Sequence, residues 1–94
     1  MTPSTRGIGK TVHSSDQATF CALMIAARKQ AGLSQDALAR RLKRPQSFVA
    51  KYEGGERRLD VIEFIAIIRA IGGDPVKLLR DLMAGSSPRA RRAK

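Results

Sequence analysis

The sequence is short of most things that catalysis or membrane insertion would need. It has one cysteine, Cys21, and one histidine, His13, which excludes an internal disulfide and leaves no paired soft ligands for a metal. A single thiol suits a reducing compartment. Tryptophan is absent and aromatics make up 4% of the chain, so aliphatic side chains must fill the core. No apolar run approaches the roughly 20 residues of a membrane span, and the N-terminus has no apolar signal-peptide region. Acidic residues are few, 8 against 18 basic. No carboxylate pair, and no serine with a base at hand, points to catalysis. A chain of 94 residues holds one small domain with a modest core. The expectation is a cytoplasmic protein that is no enzyme, carries no cofactor or metal, and stays off membranes.

What the sequence does have is a patterned middle. Residues 1–13 mix Pro, Gly, Ser and Thr without apolar periodicity and read as a disordered N-terminal arm. Gly9, Lys10 and Thr11 end like a phosphate-binding loop, but position 4, where that motif's first glycine belongs, is Ser4. Residues 14–84 read as the folded domain, and 85–94 as a disordered basic tail. Ser14 with Gln17 fits a capping box, so a first helix should start near Ser15 or Asp16. Phe20, Leu23, Met24, Ala27 and Ala31 line one face of it, and Gly32 ends it. Cys21 sits beside that stripe as a structural thiol.

Ser34 is a good cap for a second helix carrying Leu38, Ala39 and Leu42 at helical spacing. Pro45 suits the first position of a third, which carries Phe48, Val49 and Tyr52. A fourth helix follows Asp60 and stops at Gly72, with Val61, Ile62, Phe64, Ile65, Ile67, Ile68 and Ile71 covering roughly 220° of arc, twice the usual apolar stripe. Asp74 and Pro75 open a fifth, for which Val76, Leu79, Leu82 and Met83 supply an apolar face. The fold class is all-α, with five helices and a helix-turn-helix at the second and third.

Charge falls where such a motif would use it. Of the net +10, the tail from Gly85 holds +4 and the head +2, while Arg40 to Arg58 holds +5 and the remainder −1. That is the footprint of a surface that neutralises phosphates. With Phe48, Val49 and Tyr52 taken by packing, the outward positions of the third helix are Gln46, Ser47, Ala50 and Lys51. Gln46 can bond adenine N6 and N7, Lys51 can donate to guanine O6 and N7, Ser47 can pair with several bases, and Ala50 offers a methyl to thymine. Lys43 and Arg44 in the turn, with Arg57 and Arg58 beyond the third helix, flank the groove as backbone contacts.

Gly32-Leu33-Ser34-Gln35, Leu38-Ala39, Leu42, Val49, Tyr52-Glu53, Gly55, Arg57-Arg58-Leu59-Asp60 and Gly72-Gly73-Asp74-Pro75 together resemble the lambda-repressor-like, Cro/cI-type (XRE family) helix-turn-helix proteins. The resemblance runs from Phe20 to Leu82, roughly two thirds of the chain. It implies double-stranded DNA as partner, Gln46, Ser47, Ala50 and Lys51 as base readers, and Gln35 on phosphate. It also implies an ion pair between Arg28 and Glu53 that braces the first helix against the third. The family often has glycine where Lys43 stands, and a serine or threonine cap where Pro45 stands. A positive φ at Lys43 would cost roughly 1–2 kcal/mol.

The function that follows is sequence-specific binding of a palindromic operator, as a repressor and a homodimer joined through helices 4 and 5. The alternative is an antitoxin or adaptor that chiefly holds a small protein partner and uses DNA binding for autoregulation. A third reading, an architectural or RNA-binding basic protein, predicts no base preference.

Overall fold

The computed structural model describes residues 15–85, and within them the chain forms five helices and no strand. Ser14 and the expected arm and tail lie outside those residues, apart from Gly85. Helix α1 spans Ser15–Gln30, α2 Gln35–Leu42, α3 Gln46–Glu53, α4 Val61–Ile71 and α5 Pro75–Met83.

The ends are set by local chemistry. Ser34 Oγ accepts from the Ala37 N–H at 3.0 Å, satisfying one of the free donors of α2. Asp60 and Glu63 form a reciprocal capping box on α4, with the Glu63 N–H donating to Asp60 at 2.7 Å. Asp74 accepts from the Val76 N–H and is followed by Pro75 at the head of α5. Gly72 closes α4 at φ 91°, a left-handed conformation that suits glycine.

The core draws on every helix. Met24, Leu38, Val49, Ile67 and Ile68 are fully buried, joined by Leu23, Phe48, Tyr52, Phe64 and Leu78. Helix α2 packs across α3 and α4, while α1 lies against α3, α4 and α5. Buried Ala39 keeps the contact face of α2 small where α3 approaches. Phe20 and Phe64 meet with ring centroids 5.8 Å apart, and Phe48 and Tyr52 pack edge to face at 5.5 Å. Cys21 is buried, its thiol 3.5 Å from the Tyr52 carbonyl oxygen, to which it donates.

Two expectations change, those for Pro45 and for the face of α5. Pro45 is not the first residue of α3 but its N-cap, at ψ 152°, and its side chain caps nothing. A residue just before a helix needs extended backbone, which the proline ring permits while leaving no N–H to satisfy. On α5 the buried residue is Leu78, with Leu82 half-buried, whereas Val76, Leu79 and Met83 face solvent. The short helix carries two apolar stripes, and the one with Leu78 is turned toward α1 and α4. On α4, Phe64, Ile67 and Ile68 go inward, but Val61 and Ile62 stay outside, so the wide apolar arc exceeds what the core takes.

Candidate nucleic-acid interface

The turn between α2 and α3 is built on strained backbone. Lys43 adopts φ 58°, ψ 43°, the only positive φ of a non-glycine among the described residues. In that conformation its N–H reaches the Ala39 and Arg40 carbonyls, and the next N–H, that of Arg44, reaches Ala39. The left-handed residue thus ends α2 in hydrogen bonds, as glycine commonly does. The conformation then turns the chain into Pro45 and α3.

Helix α3 divides cleanly between inside and outside. Phe48, Val49, Tyr52 and Glu53 are buried, and Gln46, Ser47, Ala50 and Lys51 are exposed. The exposed four span about 140° of one helical face. They are brought together on a helix whose other face is pinned by the core.

Beneath them lies a buried ion pair. Arg28 donates through Nε to Glu53 Oε2 at 2.7 Å and through Nη2 to Oε1 at 3.0 Å, a bidentate geometry. Its Nη1 donates to the Leu33 carbonyl at 2.8 Å, tying in the loop before α2. The guanidinium pKa is raised, chiefly by the hydrogen bonds to Glu53, against the opposing effect of burial. The pair reaches the surface by a route not visible in the sequence. Gln35 Nε2 donates to Glu53 Oε1 at 2.9 Å, and Gln46 Nε2 donates to Gln35 Oε1 at 3.2 Å. Four side chains from α1, α2 and α3 therefore form one line from the core to the outward face.

The flanking cations are less alike than their sequence positions imply. Lys43, Arg44 and Arg58 are exposed and Arg57 is half-buried. Arg44 and Arg57 both lie over the Phe48 ring, with Cζ 4.1 and 4.9 Å from its centroid, and both face Glu63. Arg41, which had no assigned role, donates to the Ala70 carbonyl at 2.8 Å and links the end of α2 to that of α4. In the sequence Glu63 shows only as a charge on the polar side of α4. Its contact with Arg57 crosses an irregular segment, where helical spacing gives no guide.

Residues 24–78 match the model of a family described as Helix-turn-helix. The chain is also similar to a solved structure, an XRE-family like protein from Pseudomonas syringae pv. tomato str. DC3000. The two share 51% identity over 82% of this chain and 94% of the other, with a TM-score of 0.75. The chain belongs to the XRE-family helix-turn-helix proteins. No curated protein matches it. As an XRE-family domain it is a DNA-binding domain of the transcription-regulator type, and α2 and α3 are its helix-turn-helix. Among the described residues no helix is long and apolar enough to cross a membrane, and no three potential metal ligands gather.

Proposed function

We propose that this XRE-family protein is a sequence-specific repressor that binds a palindromic operator as a homodimer. The observation that carries the reading is the division of α3. Four exposed side chains with base-reading chemistry share one face, on a helix held in place by a buried bidentate ion pair. A helix so presented fits the B-DNA major groove, where each base pair has its own donor and acceptor pattern. Gln46 and Lys51 are the main discriminators, with Ser47 and Ala50 beside them. Gln35, Lys43, Arg44, Arg57 and Arg58 hold the backbone.

Dimerisation has its own support. Met83 is 84% exposed, Leu79 42% and Val76 55%, one outward stripe of α5, and Val61 and Ile62 on α4 are 69% and 74% exposed. These residues contribute little to the core and are large, which makes them interface material. The alternative, an antitoxin or adaptor, would use the same surface for a small protein partner.

Selection of bound sequences from a random duplex pool at physiological salt tests the proposal. A recovered palindrome supports it, and a pool without enrichment sinks it. A single unrepeated half-site would retain base readout and remove the dimer.

A further inference from the structure

The carboxylate of Glu63 is engaged from three directions. Oε1 accepts the Asp60 backbone N–H at 3.1 Å, which closes the capping box of α4. Arg57 donates to it through Nη1 and Nη2, each at 3.0 Å. Arg44 Nη2 stands 3.8 Å from Oε2, the oxygen that also receives Arg57 Nη2. Two guanidinium groups stacked on Phe48, in the first turn of α3, thus converge on one anion. The Nη pair of Arg57 is the fork that takes a phosphate bidentately, so its present occupant has the charge and spacing of two phosphate oxygens. Glu63 stays ionised. Its pKa is held below the usual carboxylate range, first by the Arg57 hydrogen bonds and then by the Asp60 N–H.

We propose that Glu63 is a resident stand-in for a DNA phosphate. It fills the Arg57 fork in the free protein, and an arriving phosphate must compete with it. The residue thereby holds the affinity for duplex of any sequence below what the basic surface would otherwise give. The inference rests on the DNA-binding reading and adds to it a negative element on the protein side. Its use is to keep sequence-independent phosphate attraction from dominating, since that attraction supplies most non-specific binding.

The test is Glu63→Gln, which keeps the side chain's length and an acceptor for the capping box while removing the charge and one of the two acceptors that face Arg57. Binding of a random-sequence duplex is followed by fluorescence anisotropy over a series of salt concentrations. The variant is expected to bind about 3–10-fold tighter near 0.1 M salt, with a log–log salt slope steeper by up to about 0.9. Glu56→Gln, the same charge change on an exposed residue next to Arg57, should give a smaller gain. In an Arg57→Ala background the Glu63→Gln gain should fall to the level of Glu56→Gln, leaving the general effect of charge removal and of Arg44. Equal or weaker binding by a folded Glu63→Gln protein overturns the proposal, as does an equal gain from Glu56→Gln. Should Glu63→Gln melt below assay temperature, Glu63→Asp keeps the charge but is one methylene shorter, so its carboxylate is drawn back from the Arg57 Nη atoms. It should then bind random duplex tighter than wild type, and failure to do so overturns the proposal. Failure of the underlying reading looks different: wild type would bind no duplex at any salt, and the inference would fall with it.

Discussion

Gln46, the first residue of α3, is held by Gln35, the first residue of α2, through an Nε2–Oε1 hydrogen bond of 3.2 Å. Gln35 is held in turn by Glu53 at 2.9 Å. One glutamine is thus aimed by the other, and both depend on the buried pair below. Gln35→Ala and Gln46→Ala should therefore not be additive. Their combined effect on binding to a selected duplex is expected to fall short of the sum by about 0.5–1.5 kcal/mol. Anisotropy titrations of the two singles and the double close the cycle, and additivity within about 0.3 kcal/mol would show the two act independently.

The pair itself sets a larger effect. Arg28→Met strands the Glu53 carboxylate in the core, leaving it only the Gln35 amide. Breaking one side of a buried ion pair costs about 3–5 kcal/mol, whereas replacing both partners by apolar residues is often nearly neutral. Denaturant unfolding should show Arg28→Met far below wild type, and Arg28→Met with Glu53→Leu well above that single variant. A loss under about 1 kcal/mol for the single would mean that water reaches Glu53.

Lys43 presents two opposed terms. Its left-handed backbone costs a non-glycine residue roughly 1–2 kcal/mol, which glycine would relieve. Glycine also loosens the unfolded chain, by about 0.4–1 kcal/mol. The relief is larger, so Lys43→Gly is predicted to stabilise the fold by about 0.5–1 kcal/mol. At the same time it removes a cation from the turn proposed to hold the DNA backbone. The melting midpoint should rise while random-duplex affinity falls, and a fall in both would place Lys43 in a contact that offsets the strain.

Tyr52 carries a hydroxyl that is buried and has no hydrogen-bond partner among the described residues. Burial raises its pKa, and the charge of Glu53 adds to the effect, so it stays a phenol. An unmet hydroxyl in the core is a cost of about 1–3 kcal/mol that a same-shaped apolar ring avoids. Tyr52→Phe should leave the Phe48 contact intact and raise stability by about 1 kcal/mol in urea unfolding. A destabilised variant would mean that the hydroxyl has a partner outside those residues.

The helices and their caps were readable because each rests on a few adjacent residues: Ser34 for α2, Asp60 for α4, Asp74 with Pro75 for α5. The division of α3 was readable for the same reason, since Phe48, Val49 and Tyr52 share one face. The face of α5 was not. Val76, Leu79 and Met83 and, separately, Leu78 and Leu82 each keep helical spacing, and only the approach of α1 and α4 decides which stripe goes inside. Contacts that join different helices or cross loops, such as Gln46 to Gln35 or Arg57 to Glu63, depend on tertiary geometry and leave no periodic trace. Arg28 with Glu53 was accessible only through family resemblance.

That misplaced stripe leads to the last prediction. Residues inside a core cannot become glutamate without unfolding it, but Leu79 and Met83 point outward, so charge there should change stability by no more than about 0.5 kcal/mol. If the stripe is the dimer contact, Leu79→Glu with Met83→Glu places like charges across a two-fold axis and desolvates them, since an isologous interface sets the same patch against itself. At concentrations low enough for both to be monomeric the variant should melt like wild type, yet it should sediment as a monomer at concentrations where wild type is dimeric. Its affinity for a palindromic site should drop to that for a half-site, while half-site binding is unchanged. A variant that stays dimeric moves the interface to Val61 and Ile62 or elsewhere. Wild type that remains monomeric even on palindromic DNA removes the dimer from the mechanism.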